Sequence, residues 1–182
     1  MSRAERTRAS LLEAALVLFT EQGFDRTTVA EIAGRAGVTE MTFYRHFGTK
    51  EGVLVDDPYD PLIAEAVTRA DPELSSIAAA ASGVLAAWRA VPEPAVDVVR
   101  DRLRLVARTP SLRAAMARAS VNTEDAVAGA LQQRGIRALE SRIASAATVA
   151  ALNAALIAWA DGPETPLGDA IEAAVATLGG AR

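Results

Sequence analysis

Twelve residues, Thr39 to Lys50, gather an unusual share of the chain's reactive side chains. They hold three threonine hydroxyls, the Glu40 carboxylate, the Met41 thioether, the Tyr44 phenol and the Arg45 guanidinium, with the chain's one histidine, His46, and its one lysine, Lys50. Hydroxyls, phenols and cations donate to phosphate oxygens, and short polar or apolar side chains meet base edges. Other chemistries fit poorly. A single histidine and zero cysteines argue against a multi-histidine or thiolate metal site and against any triad needing a second imidazole. No glycine-rich phosphate loop, spaced carboxylate pair or nucleophile motif stands beside them, so no enzyme activity, cofactor or metal is expected.

Such groups act only if they are presented on a rigid element. Thr28 followed by Glu31 spells a capping box. Val29, Ile32, Ala33 and Ala36 then recur at helical spacing, giving one apolar face. Gly37 supplies a left-handed turn and Val38 plugs the corner. Thr39 is the expected N-cap of a second helix, 40–47, whose Phe43 and Phe47 share a face. Glu40, Met41, Thr42, Tyr44, Arg45 and His46 are left on or near the outer face. Two short helices joined by a tight glycine turn have the size and chemistry of a helix-turn-helix. A first helix over 3–22, with Leu12, Ala15, Leu16 and Phe19 as its buried stripe, ends at Gly23–Phe24 and props the pair.

The run Thr42, Phe43, Tyr44, Arg45, His46, Phe47 and Lys50, with Thr27–Thr28 and the Ala33–Gly37 turn in step, resembles the recognition helix of TetR/AcrR-type bacterial transcription regulators. The likeness is strong over about the first quarter of the chain; beyond residue 56 only length and helical pattern resemble the family. It implies DNA-binding positions at Thr28, Thr39, Glu40, Met41, Thr42, Tyr44, Arg45, His46 and Lys50. Tyr44 is expected to reach a phosphate with its hydroxyl or a thymine methyl with its ring; its bland alternative is half-buried packing. His46 would contact phosphate or sit as a plain surface histidine. Lys50, beside the start of a fourth helix, would anchor a phosphate, and Thr28 would offer its backbone N–H while its hydroxyl caps. Thr42, Met41 and Glu40 are the candidate base readers. Glu40 either accepts from a cytosine amino group or simply complements the helix dipole. Arg45 points to phosphate or to solvent.

Composition bounds the rest. The 182 residues are 51% apolar but only 4% aromatic, so the core must be Ala, Leu, Val and Ile, and the fold all-α. Zero cysteines, the lack of an uninterrupted 18-residue apolar stretch and the lack of a hydrophobic leader lead to the expectation of a soluble cytoplasmic protein without a membrane partner. Net charge is −4, unevenly spread: residues 1–50 carry seven basic against six acidic groups, and the remainder twelve against seventeen. The head is therefore only weakly basic, and Arg3, Arg6 and Arg8 either cluster toward phosphate or form an ordinary solvated terminus.

Nine or ten helices are expected, in an N-terminal three-helix helix-turn-helix module over 1–50 and a C-terminal ligand-binding and dimerisation bundle over 51–182. Thr49 should cap a fourth helix that stops near Asp56, because Pro58 and Pro61 cannot continue it. Asp60-Pro61, Asp71-Pro72, Thr109-Pro110 and Thr165-Pro166 look like N-cap and N1 pairs, predicting helices at 61–70, 72–90, 110–134 and 166–178. Two more are expected at 94–108 and 137–160, with C-caps at Gly135, Gly162 and Gly179. Ala144, Ala147, Ala151, Ala154, Ala155 and Ala158 make a small-residue face on 137–160, with Leu152, Leu156 and Trp159 adding bulk. The resemblance implies that 137–160 and 166–178 pair with their copies in a homodimer. Trp88, Arg102, Arg104, Met116, Asn122, Asn153 and Trp159 could shape a pocket, and Arg100, Arg104 and Arg108 read as a solvated stripe; none is assigned as a site. The expected function is a ligand-responsive repressor, a homodimer on a palindromic double-stranded DNA operator, with an unidentified small-molecule effector. The alternative is a DNA-bound adaptor governed by a protein partner.

Overall fold

The computed structural model describes residues 2–56, 59–91, 96–162 and 165–179. Among these there are ten α-helices and no strand: α1 Arg3–Gln22, α2 Val29–Arg35, α3 Glu40–Phe47, α4 Gly52–Val55, α5 Asp60–Thr68, α6 Ser76–Ala90, α7 Val96–Arg108, α8 Pro110–Gln133, α9 Ala138–Asp161 and α10 Leu167–Gly179. They form two compact units, residues 1–56 with 105–116, and 57–104 with 117–182. A boundary at 50/51 was the expectation; here the first unit runs on through α4 and takes in the α7–α8 turn.

In the first unit α1 packs against α2 and α4, and α2 against α3. Leu11, Ala15, Phe19, Phe24, Ile32, Phe43, Phe47 and Leu54 make the core. The buried stripe of α1 is Leu11, Ala14, Ala15 and Phe19, one position round from the expected one, with Leu12 and Leu16 only half-buried. A capping box that the sequence reading passed over starts this helix: the Ser2 hydroxyl accepts from Glu5 N–H, and Ser2 N–H donates to the Glu5 carboxylate at 2.6 Å. Gly23 and Gly37 adopt φ of 86° and 69°, which only glycine takes cheaply. The N-cap of α4 is Glu51 rather than the expected Thr49, which lies two residues further upstream and whose hydroxyl accepts from Gly52 N–H at 3.0 Å; the helix ends at Val55 with Asp56 as C-cap. Pro58 lies outside the described residues.

In the second unit α9 packs against α10 and α6, and α6 also against α5 and α10. Alanine makes this possible, and glycine more so: a Cβ on Gly83 of α6 would stand 2.3 Å from Val67 Cγ2 and 2.8 Å from its backbone nitrogen on α5. Three of the four proline pairs behave differently from the expectation. Asp60 is the first residue of α5 rather than its cap, and its carboxylate instead accepts from the Thr123 hydroxyl at 2.6 Å. Asp71-Pro72 forms a turn, with Asp71 Oδ1 accepting from Glu73 N–H and Asp71 O from Leu74 N–H, so α6 begins only at Ser76 under a Ser75 cap. Thr165-Pro166 stands one residue ahead of α10. The expected helix start at 94 falls outside the described residues.

Of the expected solvated stripe Arg108 is exposed, but Arg100 and Arg104 are turned onto main-chain carbonyls. Arg100 is 5% exposed; its guanidinium donates to the carbonyls of Trp159, Gly162 and Thr165 at 3.2–3.4 Å and lies 4.1 Å from the Trp159 ring centre. Arg104 Nε donates to Ala160 O at 2.8 Å. Two cations from α7 thus cover the carbonyls where α9 ends, complementing the negative end of its dipole. Arg134 does the same for α5, donating to Val67, Ala70 and Asp71 carbonyls. Of the pocket-shaping residues, Asn122 is exposed, Asn153 bonds the Ser120 hydroxyl at 2.8 Å, and Trp159 Nε1 donates to Thr165 O.

Helix α9 presents a different face from the expected one. Its 24 residues are long and apolar enough to cross a membrane by length and composition alone, though Ser145, Thr148 and Asn153 interrupt the apolar run, about a third of which is buried within the chain. The polar Ser141, Ser145 and Thr148 are buried, whereas Leu139, Ile143, Ala146, Ala150, Ala154 and Ala158 form the exposed stripe. The expected small-residue face is therefore rotated: Ala144 is core, and only Ala154 and Ala158 of the expected set are exposed.

Candidate nucleic-acid interface

Helix α3 is eight residues long, too short to persist alone, so its ends and its buried face must hold it. The Thr39 hydroxyl accepts from Thr42 N–H at 3.2 Å, and the two threonine hydroxyls lie 3.0 Å apart in a further hydrogen bond. Phe43 and Phe47 are buried with ring centres 5.5 Å apart. Gly48 closes the helix at φ 65°, its N–H donating to Tyr44 O. That anchoring leaves Glu40, Met41, Tyr44 and Arg45 exposed on the opposite side, with Thr42 and His46 half-buried at its margins.

Met41 is 76% exposed, more than any other large apolar side chain among the described residues. Tyr44 stands edge-on to Phe43, 5.7 Å between centres, so its ring is braced while its hydroxyl end stays accessible. Glu40 occupies the first turn of α3, where its charge complements the helix dipole. The Thr42 hydroxyl, tied to Thr39, is committed to the cap as well as available to a base.

Two of the expected contacts are already occupied. Thr28 N–H donates to Glu31 Oε2 at 2.8 Å and the Thr28 hydroxyl bonds the same oxygen at 2.8 Å, so the N–H expected to face DNA is spent on the capping box. Those two bonds, backbone first, and a weaker one from Gln22 hold the Glu31 carboxyl below the ordinary glutamate range. Lys50 Nζ donates to Phe24 O at 2.8 Å and Thr27 O at 3.0 Å and sits 4.2 Å from the Phe24 ring centre. An ammonium has three donors, so one N–H is left to meet a phosphate. Nothing in the residue pattern distinguishes this tie from a free anchor, because its acceptors are main-chain carbonyls.

Arg8 was read only as part of a terminal cluster. Its Nη1 donates to His46 O at 3.0 Å, and its guanidinium carbon lies 4.3 Å from the Phe47 ring centre. The signal that could have found it is spacing: Arg8, Leu11 and Ala15 stand at i, i+3 and i+7 on the inward stripe of α1.

A capped recognition helix with a braced tyrosine, on a two-helix turn supported by α1, defines a helix-turn-helix protein. Comparisons narrow the class. Residues 11–56 match the family described as bacterial regulatory proteins, tetR family, and residues 74–181 match the family described as the MftR C-terminal domain. The chain belongs to the tetR family of bacterial regulatory proteins. It is 33% identical over 140 residues to the HTH-type transcriptional regulator TcmR of Streptomyces glaucescens, a match covering 72% of this chain and 62% of that one. Several other curated relatives match only at the head; among them the matched stretch spans between 19% and 27% of the relative's own length. Among solved structures, NalD of Pseudomonas aeruginosa, described as the secondary repressor of the MexAB-OprM multidrug efflux pump, is 26% identical with a TM-score of 0.56, over 98% of this chain and 96% of that one. A SmeT–triclosan complex, 22% identical, superposes with a TM-score of 0.57 over 94% and 90%, which speaks to the fold.

Proposed function

We propose that the chain is a sequence-specific DNA-binding transcriptional regulator, a repressor released by a small-molecule effector, acting in the cytoplasm as a homodimer on a palindromic operator. The observation that carries this reading is α3 itself: capped by Thr39, anchored by Phe43 and Phe47, and exposing Glu40, Met41, Tyr44 and Arg45 along one side. Met41 and Tyr44 are the apolar readers of thymine methyls, with Thr42 and Glu40 beside them at the base edges. Tyr44 O–H, Arg45, His46, Thr39 and the remaining Lys50 N–H serve phosphates, and Thr28 shapes the start of α2.

One copy holds one recognition helix, and a palindrome needs two, about 34 Å apart. The surface that supports self-association is the exposed side of α9, where Leu139 and Ile143 are large and Ala146, Ala150, Ala154 and Ala158 small, with α10 packed alongside. Small side chains let two helices approach closely, and a two-fold interface needs a self-complementary face. The module expected over 1–50, which extends through α4 to residue 56, thus serves DNA, and the bundle expected over 51–182 serves regulation and pairing. The triclosan bound by SmeT motivates an effector in the bundle; such a ligand acts only if it prefers the arrangement that cannot bind DNA.

The test is selection of duplexes from a random library by the purified protein. A palindrome with half-sites about one helical turn apart is the expected result, and Lys50→Met should lower the salt slope of binding by about one unit. Enrichment of no sequence at all would refute the reading.

A further inference from the structure

We propose that Arg8 is a positioning residue for base reading: it holds the C-terminal end of the recognition helix from α1 and contributes no phosphate contact. The inference rests on the DNA-binding reading above and deepens it.

An arginine in the first turns of a head with weak positive charge is the natural candidate for phosphate. The geometry assigns this one elsewhere. Its Nη1 donates to the carbonyl of His46, in the last turn of α3, at 3.0 Å. Its flat guanidinium lies 4.3 Å from the centre of the Phe47 ring, the residue that ends the helix. Last-turn carbonyls of a helix lack intrahelical partners and carry its negative dipole, so a cation there is doubly favoured. The planar fork is what permits both contacts at once: one edge donates while the face stacks, which a lysine ammonium cannot reproduce.

The consequence is geometric. At its N-terminal end α3 is tied by the Thr39 cap, and along its length by Phe43. At the other end, Gly48 turns the chain away at positive φ, and the Arg8 bond to His46 O adds a long-range tie across 38 residues of sequence. Met41 and Tyr44 read bases only if that short helix keeps its tilt. Displacements of about an ångström at a reading helix remove base contacts while leaving charge attraction to the backbone intact. Arg8 therefore acts on discrimination, the ratio of specific to non-specific affinity.

The experiment uses the full chain with Arg8→Met and Arg8→Lys, a duplex selected by the unaltered protein, and poly(dI-dC) as non-specific DNA, each titrated over a range of salt. Both variants are expected to lose about tenfold or more in the ratio of selected to non-specific affinity, with the salt slope unchanged. A slope lowered by about one in Arg8→Met and restored in Arg8→Lys would overturn the proposal and make Arg8 a phosphate contact. Equal loss on both DNAs, leaving the ratio fixed, would also overturn it, since that is what simple loss of folded protein does. Should Arg8→Met unfold the head, Arg8→Lys carries the test, read also by amide exchange. Faster exchange confined to residues 43–48 supports the tie, and unchanged exchange there refutes it. An unaltered protein that prefers no sequence overturns both the DNA reading and this role. Preference that survives in both variants overturns the role of Arg8 alone.

Discussion

Replacing Arg100 by methionine keeps an unbranched apolar stem and removes the buried guanidinium. Three terms follow. The stacked cation over Trp159, 4.1 Å from the ring centre and 5% exposed, is worth about 2 kcal/mol when desolvated. The Gly162 carbonyl loses the guanidinium N–H, at about 1–2 kcal/mol. The carbonyls of Trp159 and Thr165 each keep another donor, Gly162 N–H and Trp159 Nε1–H respectively, so together they add only about 1 kcal/mol. Against these, methionine is spared the desolvation of a charge, which returns about 1–2 kcal/mol. The net is a destabilisation of about 3 kcal/mol. At a urea slope of about 2–3 kcal/mol per M, the midpoint falls by about 1 M or slightly more. Unfolding should be followed by circular dichroism at one fixed protein concentration, because pairing of copies would add to the apparent stability. Arg104→Met is the internal reference: its side chain is 39% exposed and its Nε bond to Ala160 O is single, so a loss of about 1 kcal/mol is expected. If Arg100→Met falls within about 0.5 kcal/mol of the unaltered protein, the guanidinium only offsets its own desolvation and does not hold the end of α9.

Gly83→Ala pushes a methyl into the backbone of Val67, so α5 and α6 must part; a loss of about 1–3 kcal/mol in the same unfolding assay is expected, and a neutral variant would show that the crossing is loose. The Glu31 carboxyl is held below its ordinary range by Thr28, so it binds its proton less readily folded than unfolded. Its contribution is complete above the unfolded value and disappears as pH falls through the lower folded one. Stability measured from pH 6 down to pH 3 should therefore converge with that of Glu31→Gln at the acid end, and parallel curves would refute the capping-box assignment. Ala150→Glu places a charge in the middle of the exposed α9 stripe; sedimentation should show monomer where the unaltered protein is dimer, with helicity retained, and an unaltered dimer would move pairing to another surface.

The helix-turn-helix was legible because its signals are local. Thr28 and Glu31, Thr39 and Thr42, and Gly37 between them act within three residues of sequence, and each takes the role its residue type dictates. The proline pairs were less legible because an Asp-Pro can either cap a helix or close a turn. At Asp71 the turn wins, with Arg134 gathering the carbonyls of Val67, Ala70 and Asp71 from more than 60 residues away. The face of α9 was misjudged because alanines lie on every side of that helix, so spacing alone does not say which alanines are covered.

The cations hide their roles for one shared reason. Arg8, Lys50, Arg100, Arg104 and Arg134 all donate to main-chain carbonyls at turns and helix ends. Every residue has a carbonyl, so no partner residue type in the sequence announces the tie. The same fact changes how the head's charge is counted. Of its seven basic residues, Arg8 is spent on α3, Lys50 keeps one N–H, Arg26 donates to Gln22 O at 2.6 Å and Arg35 faces Glu21 at 3.9 Å. Each keeps its charge, but their N–H donors are turned to carbonyls or a carboxylate rather than held out to phosphate, which sets an expectation for binding. The slope of log affinity against log salt should correspond to only a few neutralised phosphates per head, leaving discrimination to Met41 and Tyr44. A slope matching all seven cations would mean that these ties open on DNA, and that the free head is not the one that reads it.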